Sequence, residues 1–187
     1  LHLFAGPHRV DGLGAAAAQL GCNVVELDCD ERDAQHNLAK AGAQRAVLDA
    51  VHHRRFAGIL LGIPCTPYSI LHGQTEAWVT KEYPEGRPDL STQAKAWLRV
   101  QQQLLLFATQ VIDAAIKAGT SIILENPAPR DDKSLRSYWE GHDNTMDLWH
   151  TQLVIAMRER HGARLRLIVV PQCAFGRGPH GNLFQKY

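Results

Sequence analysis

Short apolar runs alternate with longer helical patterns along this chain, and this alternation constrains the fold more than any other sequence feature. Between the runs, apolar residues recur at steps of three and four, which is typical of amphipathic helices. Repeated strand-helix-strand units build a parallel sheet. The predicted strands cover residues 1–5, 23–27, 46–48, 58–63, 121–125 and 165–170, and the predicted helices cover 12–20, 31–41, 92–118 and 144–161.

The length of the chain predicts one domain that covers residues 1–187. A composition of 45% hydrophobic and 21% charged residues is that of an ordinary globular protein. A single core in a chain of this size can bury roughly 70% of the unfolded surface. The sequence begins at Leu1 without a methionine, so we expect it to be part of a longer polypeptide.

The chain has four widely spaced cysteines, Cys22, Cys29, Cys65 and Cys173, and no two of them form a C-x-x-C motif. This spacing argues against a zinc knuckle, a thioredoxin motif and a disulfide scaffold, and no metal site is predicted. A reducing compartment fits best, so we expect an intracellular location, cytoplasmic or nuclear. No apolar stretch approaches the ~18 residues of a membrane span and no signal peptide opens the chain, so no membrane partner is expected.

A formal net charge of +1 gives the chain no overall attraction to nucleic acid. Any such surface must therefore be local. Two groups of basic residues are candidates, one at positions 52–55 and one between positions 158 and 166. For both groups the sequence favours solvated loop and helix faces over a binding surface.

The first part of the chain has the order expected of a nucleotide-binding unit. The segment "LHLFAGPHRVDGLGAAAAQLG" is a strand, a turn at Gly6 and an alanine-rich helix. Asp28 ends the next strand 22 residues after Gly6, near the ~20 expected before a ribose-binding carboxylate. Asp28 is favoured over Asp30, and Glu26 alternates to the other side of the strand. A turn without a ligand stays an alternative, since His8 interrupts the usual G-x-G.

A third short strand is predicted at "AVLDAV", and Asp49 ends it. From such a position the carboxylate could reach the amino group of an adenine. An N-cap of a helix explains this aspartate equally well.

Cys65 follows the fourth predicted strand in "GILLGIPCTPYS". The stretch "IILENPAP" has the same order, an apolar strand that ends in polar residues and a proline, here Glu125, Asn126 and Pro127. If the sheet is parallel, both strand ends open at one edge, and the thiol and the carboxylate face one pocket. A buried cysteine is usually only a small hydrophobe. Pro64 and Pro67, however, fix the backbone on either side of the thiol and deny it strand partners, as suits an exposed nucleophile.

Other thiol chemistries fit the spacing less well. A phosphatase-type loop needs an arginine six residues after the cysteine, where Leu71 stands. A cysteine hydrolase needs a histidine base, and none of the ten histidines is marked by a local motif.

Two long polar segments, at about 66–89 and 127–144, leave from the ends of predicted strands. Ligands bind at such ends, and the first segment is predicted to be a lid.

The stretches "LFAGP", "LDCD", "GILLGIPCTPYS" and "ILENP" resemble the DNA cytosine carbon-5 methyltransferases in their order and separation. The resemblance spans about residues 1–127. Its specific part is Pro-Cys-x-Pro-Tyr-Ser with a downstream Glu-Asn, and Pro171-Gln172 resembles a later Pro-Gln of the family. It implies a Rossmann-like, class I S-adenosylmethionine-dependent methyltransferase sheet with helices on both faces.

The resemblance implies S-adenosyl-L-methionine as the cofactor and DNA as the partner, with a single strand, RNA or other domains of the same polypeptide as further candidates. The Cys65 thiolate would add to carbon 6 of a cytosine so that carbon 5 can take the methyl group. Glu125 would hold nitrogen 3 and the amino edge of a base flipped out of the duplex. The implied cofactor-binding residues are Phe4, Ala5, Gly6, Asp28, Cys29, Asp49 and Pro64, and the implied substrate-binding residues are Ser69, Asn126 and Gln172.

Three departures from the family pattern set the alternatives. Cys173 to Gly176 stand where the family has alternating arginines, and Pro7 and His8 replace part of the glycine turn. Only 15 residues follow Gln172, too few for a target-recognition region or the closing motif. The alternative is a noncatalytic, methyltransferase-like module that binds a nucleotide or cofactor within a larger polypeptide. A dinucleotide-dependent oxidoreductase is a third interpretation, but it lacks G-x-G-x-x-G.

Overall fold

The structure, a computed structural model, describes residues 1–6, 12–29, 37–68, 77–129, 133–134 and 144–169. Its regular elements, in chain order, are β1 (His2–Leu3), α1 (Leu13–Gln19), β2 (Glu26–Leu27), α2 (Ala41–His52), β3 (Gly58–Gly62), α3 (Thr92–Ala118), β4 (Ser121–Glu125) and α4 (Gln152–His161). Short 3₁₀ turns occur at Thr66–Tyr68, Leu148–His150 and Gly162–Arg164.

The chain forms two compact units. The first unit comprises Leu1–Pro64 and Ala96–Asn126, and the second comprises Cys65–Lys95 and Pro127–Tyr187. The expectation of one domain over residues 1–187 stays a prediction, because two such units can be parts of one domain. Within the described residues, no helix is both long enough and apolar enough to cross a membrane.

A parallel sheet in the order β2-β1-β3-β4 organises the first unit. Every pairing is parallel, and β3 pairs with β4 along its whole length, from Gly58 with Ser121 to Gly62 with Glu125. An isolated parallel bridge between Asp28 and Asn37 adds a position beyond β2. The order of the four strands reverses direction between β1 and β3, as it does in doubly wound folds. The predicted parallel α/β architecture is confirmed, and it is compatible with a Rossmann-like fold.

Helix α3 supplies much of the core of the first unit and has the bounds that the periodicity predicts. Its buried residues recur at steps of three and four, which places them on one face: Leu104, Leu105, Phe107, Ala108, Val111, Ile112 and Ala115. Gly119 ends the helix at φ +73, where the amide of Gly119 donates to Ile116 and that of Thr120 donates to Ala115. This is a Schellman motif, which satisfies the last carbonyls of the helix.

The second unit is built from the two long polar segments and α4. The amide of Lys81 donates to the carbonyl of Asn144 at 3.1 Å, and Thr80 and Thr145 form an antiparallel bridge. The two segments therefore pair with each other. A small apolar core accompanies them, formed by Tyr68, Val79, Met146, Leu148, Val154 and Met157.

Several predicted elements differ from the structure. The strand predicted at 46–48 is wrong, because this segment lies in α2, whose buried face is Ala43, Val47 and Val51 at steps of four. The helix predicted at 31–41 is wrong in its described part, since residues 37–40 form a bridge and a turn. The helix predicted at 144–161 begins only at 152, and residues 165–169 do not form a strand.

Truncation of the buried ring of Phe107 tests the assigned core. Phe107 is 1% exposed and meets Phe4 edge to face at a centroid distance of 6.5 Å. We expect Phe107→Ala to lower the free energy of unfolding by about 3–5 kcal/mol in urea denaturation, because it leaves a cavity. Leu106→Ala, one position along α3 and 44% exposed, is the matched control and should cost under about 1 kcal/mol. Equal losses in the two variants would contradict the packing of α3.

Candidate functional site

The strand order puts a topological switch point between β1 and β3, since the chain proceeds from β1 to one side of the sheet and later returns to the other. Ligands of open α/β sheets bind beyond the carboxyl ends of the strands at such a point. In the first unit, the predicted site residues that follow strand ends there are Phe4, Ala5, Gly6, Asp28, Cys29, Pro64 and Asn126, and Glu125 ends β4.

The turn after β1 has an unusual backbone. Phe4 adopts φ 60 and Gly6 adopts φ +71, and the amide of Ala5 donates to the carbonyl of Leu27 at 3.2 Å. A left-handed conformation at a buried aromatic residue is uncommon and costs on the order of 1–3 kcal/mol, and such strain clusters at ligand sites. Among the described residues, no atom lies within 4 Å of a Cβ built on Gly6. As far as those residues are concerned, the backbone of this turn is open to the close approach of a ligand.

The carboxyl ends of β1, β3 and β4 are tied together. A Cβ added at Gly62 would lie 3.4 Å from the carbonyl oxygen of Phe4, so a glycine allows the two strand ends to approach closely. The amide Nδ2 of Asn126 donates to the carbonyl of Ile63 at 2.8 Å. Glu125 pairs with Gly62 in the ladder and is exposed. The structure thus brings an exposed carboxylate to this edge and uses the Asn126 donor to fix it.

A residue that was not predicted from the sequence lies beside the carboxyl end of β2. Asn37 is 1% exposed, forms the parallel bridge with Asp28, and accepts a hydrogen bond from the amide of Ala39 through Oδ1 at 2.8 Å. The amide of Leu38 donates to the carbonyl of Asp28 at 2.9 Å. An asparagine followed by a turn could have identified this position. It was not recognised because the sequence predicted a helix over residues 31–41.

Asp49 does not occupy the position that the sequence predicts. It lies exposed within α2, three residues before the helix ends, so the strand end and the N-cap are both wrong. The N-cap of α2 is Lys40. Because α2 leads back to the start of β3, Asp49 lies toward the amino edge of the sheet. It is not among the residues that the structure brings to the carboxyl edge.

Glu26 and Cys29 are engaged in the interior rather than held ready for reaction. The Glu26 carboxylate lies beside His2 Nδ1 at 3.1 Å and packs against Gly14, where a Cβ would have no room. Burial, with a smaller contribution from the charge of Asp28, raises the pKa of the Cys29 thiol to about 12. Cys29 is therefore a neutral thiol at physiological pH, suited to contact rather than to nucleophilic attack.

Cys65 is the first residue of the second unit and is a half-buried free thiol. Its carbonyl accepts a hydrogen bond from the amide of Tyr68 at 2.9 Å, across the 3₁₀ turn that contains Pro67. Burial, and to a smaller extent Glu85, raises the pKa of Tyr68 to about 12. The thiol is thus carried by a turn with a buried proline and a buried, neutral tyrosine, and it is not sealed in the interior.

The second unit also contains a histidine held by an acid, which the sequence did not reveal. Asp147 is 7% exposed and accepts hydrogen bonds from the His150 amide at 3.2 Å and from His150 Nδ1 at 3.0 Å. A cysteine hydrolase needs a histidine oriented in this way. Asp147 is also the N-cap of the Leu148–His150 turn, so a local capping interaction explains the same pair.

Two predicted substrate-binding residues, Ser69 and Gln172, lie outside the described residues, as does Asp30. In the described part of the chain, no group of three or more His, Cys, Asp or Glu side chains could hold a metal ion.

Comparisons of this chain with family models, with curated proteins and with solved structures found no match. The resemblance to the cytosine methyltransferases therefore stays a prediction. A function for this chain is therefore inferred from the residues and the geometry at the carboxyl edge of the sheet.

The cysteines provide a test of the environment described for Cys29. At pH 8 a thiol with a pKa of about 12 has far less thiolate than an ordinary one, so we expect iodoacetamide to label Cys29 at least tenfold more slowly than the exposed Cys22. Peptide mass spectrometry of the native protein over time measures both rates. After unfolding in urea, the two cysteines should react alike. Equal rates in the native protein would contradict the burial of Cys29.

Proposed function

We propose that this chain is an S-adenosylmethionine-dependent methyltransferase that acts on carbon 5 of cytosine in DNA through a covalent adduct with Cys65. The observation that carries the proposal is the register of β3 and β4, in which Gly62 pairs with Glu125. Cys65 follows Gly62 by three residues along the chain. A thiol and a carboxylate that leave adjacent strand ends are the two groups that this chemistry requires.

The switch-point edge of the first unit suits the cofactor. The open backbone at Gly6 would admit it, and the half-buried Asp28 carboxylate would accept hydrogen bonds from two ribose hydroxyls. Asn37 would lie near the adenine in place of Asp49, because it forms a parallel bridge with Asp28 beside the carboxyl end of β2. Phe4, Ala5, Cys29 and Pro64 would line the remainder of the crevice.

In the proposed reaction, the Cys65 thiolate forms a bond to carbon 6 of the cytosine and disrupts the aromatic ring. Glu125 holds nitrogen 3 and the amino group, which stabilises the charge that develops there. S-adenosylmethionine, when bound, would supply an electrophilic methyl group to carbon 5 and would leave as S-adenosylhomocysteine. Transfer of the carbon 5 proton to water and breakage of the sulfur–carbon 6 bond would then restore the ring and the thiolate.

The noncatalytic module remains the second candidate, since Cys173 to Gly176 stand where the family has alternating arginines. Such a module would keep the cofactor crevice of the first unit and lack the covalent step. The two candidates differ in whether cytosine is attacked, and a mechanism-based trap distinguishes them directly.

Substitution of Cys65 tests the covalent step. We expect a duplex that contains 5-fluorocytosine to form a denaturant-resistant complex with the chain in the presence of S-adenosylmethionine, because fluorine at carbon 5 cannot leave as a proton does. Cys65→Ser should abolish this complex and lower methyl transfer by at least about a thousandfold, since the nucleophile is lost. Cys22→Ser, at an exposed thiol, is the control and should trap normally. A chain that binds the cofactor but never traps such DNA would be the noncatalytic module.

The cofactor crevice is tested by a pair of matched charge changes. Asp28→Asn should weaken S-adenosylmethionine binding roughly tenfold or more in isothermal titration, because charge-assisted hydrogen bonds to the ribose are lost. Asp49→Asn makes the same change in α2 and should leave the affinity within about twofold of the original. The reverse order of effects would contradict the assignment of the crevice.

A further inference from the structure

A run of four exposed basic residues, "HHRR" at positions 52–55, ends α2 and is called here the basic turn. The sequence alone favours a solvated face for it. Arg54 and Arg55 form no ion pair with any carboxylate in the described part of the chain. Within the described residues their charges are therefore not engaged in ion pairs, and the net charge of the whole chain is +1.

The backbone of the basic turn is a Schellman motif with an arginine in the left-handed position. The amide of Arg54 donates to Val51 at 2.9 Å, the amide of Arg55 donates to Ala50 at 3.0 Å, and Arg54 has φ 54. Glycine takes this conformation without steric cost. Helix α3 ends in the same motif with Gly119 at φ +73. The backbone conformation thus favours glycine at position 54 and does not itself account for an arginine there.

Stabilisation of the helix end accounts for only part of the basic turn. His53 Nδ1 lies 2.7 Å from the carbonyl of Asp49, so its ring caps a terminal carbonyl of α2. A positive charge in the last turn also suits the helix dipole. Arg54 and Arg55 lie beyond the end of the helix, and neither of these two explanations involves their guanidinium groups.

The surroundings of the basic turn indicate the chemistry of its partner. No large hydrophobic side chain is exposed between Ala41 and Gly58 in the described structure, which disfavours insertion into a membrane surface. Apart from the two histidine rings of the turn, the nearest aromatic ring along the chain is Phe56, which is half-buried, and this disfavours a platform on which successive single-stranded bases stack. Arginine and protonated histidine side chains fit the oxygens of a phosphate backbone.

The basic turn lies at the opposite edge of the sheet from the proposed crevice. Gly58 begins β3 three residues after Arg55, and the predicted site follows the other end of that strand. Five residues of strand place the two ends about 13 Å apart. A ligand at the basic turn is therefore held apart from the groups that face the target base.

We propose that the basic turn is a second nucleic-acid site, which binds the phosphate backbone of duplex DNA without regard to sequence. Arg54 and Arg55 are its principal phosphate contacts. This inference goes beyond methyl transfer and does not depend on Cys65 or on a cytosine.

A duplex of about 20 base pairs of dA·dT, which offers no cytosine, separates this site from the proposed active site. Its binding to the full chain is measured by fluorescence anisotropy between about 50 and 200 mM salt. Each lost phosphate contact should reduce the slope of log K against log salt by about 0.9, so Arg54→Gly should reduce it by about 0.9 and Arg54→Gly with Arg55→Gln by about 1.8. Arg54→Gly should at the same time raise the melting temperature, which excludes unfolding as the cause.

Arg99→Gln removes an equal charge from an exposed position on α3 and is the matched control, with an unchanged slope expected. The proposal is overturned if the unmodified chain does not bind the dA·dT duplex at the lowest salt, or if the double variant keeps the full slope. Stronger binding to phosphatidylserine vesicles than to the duplex would also overturn it. Binding of this duplex requires no cytosine, so a failure of the methyltransferase proposal leaves this result unaffected.

Discussion

The ladder between β3 and β4 is the constraint on which the candidate site depends. Its five residue pairs place Gly62 opposite Glu125. Just beyond the ladder, the Asn126 side chain donates a further hydrogen bond to the carbonyl of Ile63. A one-residue slip would turn Glu125 toward the opposite face of the sheet. The fixed register therefore determines which side chains can share the carboxyl edge, and the chain enters the Pro-Cys segment directly from it.

Backbone strain occurs at two non-glycine residues of the described structure, and both accompany a candidate binding surface. Phe4 has its left-handed backbone beside the turn at Gly6, and its buried ring lies edge to face against Phe107. Arg54 has its left-handed backbone in the hydrogen-bonded turn that ends α2, and its side chain is exposed. In each place the conformation is one that folding alone would assign to glycine, which is why strain is informative here.

The parallel sheet and its longest helix follow from local signals, and these were predicted well. The bounds of α3 and β4 match because strong periodicity and a terminal glycine define them. The strand predicted to end at Asp49 was wrong for a physical reason. The run "AVLDAV" is short, and its apolar residues satisfy either a strand or the buried face of a helix, so only tertiary packing decides. The pairing of the two polar segments in the second unit depends on contacts between distant residues, for which the sequence has no periodic signal.

We propose that the sulfur of Cys65 and the carboxylate of Glu125 act on a single base. A crystal structure of the chain trapped on DNA that contains 5-fluorocytosine would show whether they do. We expect a covalent bond from Sγ of Cys65 to carbon 6 of the base, with a Glu125 oxygen within about 2.6–3.2 Å of nitrogen 3. A base attached to another residue, or a Glu125 carboxylate that does not reach the ring, would rule out this proposal.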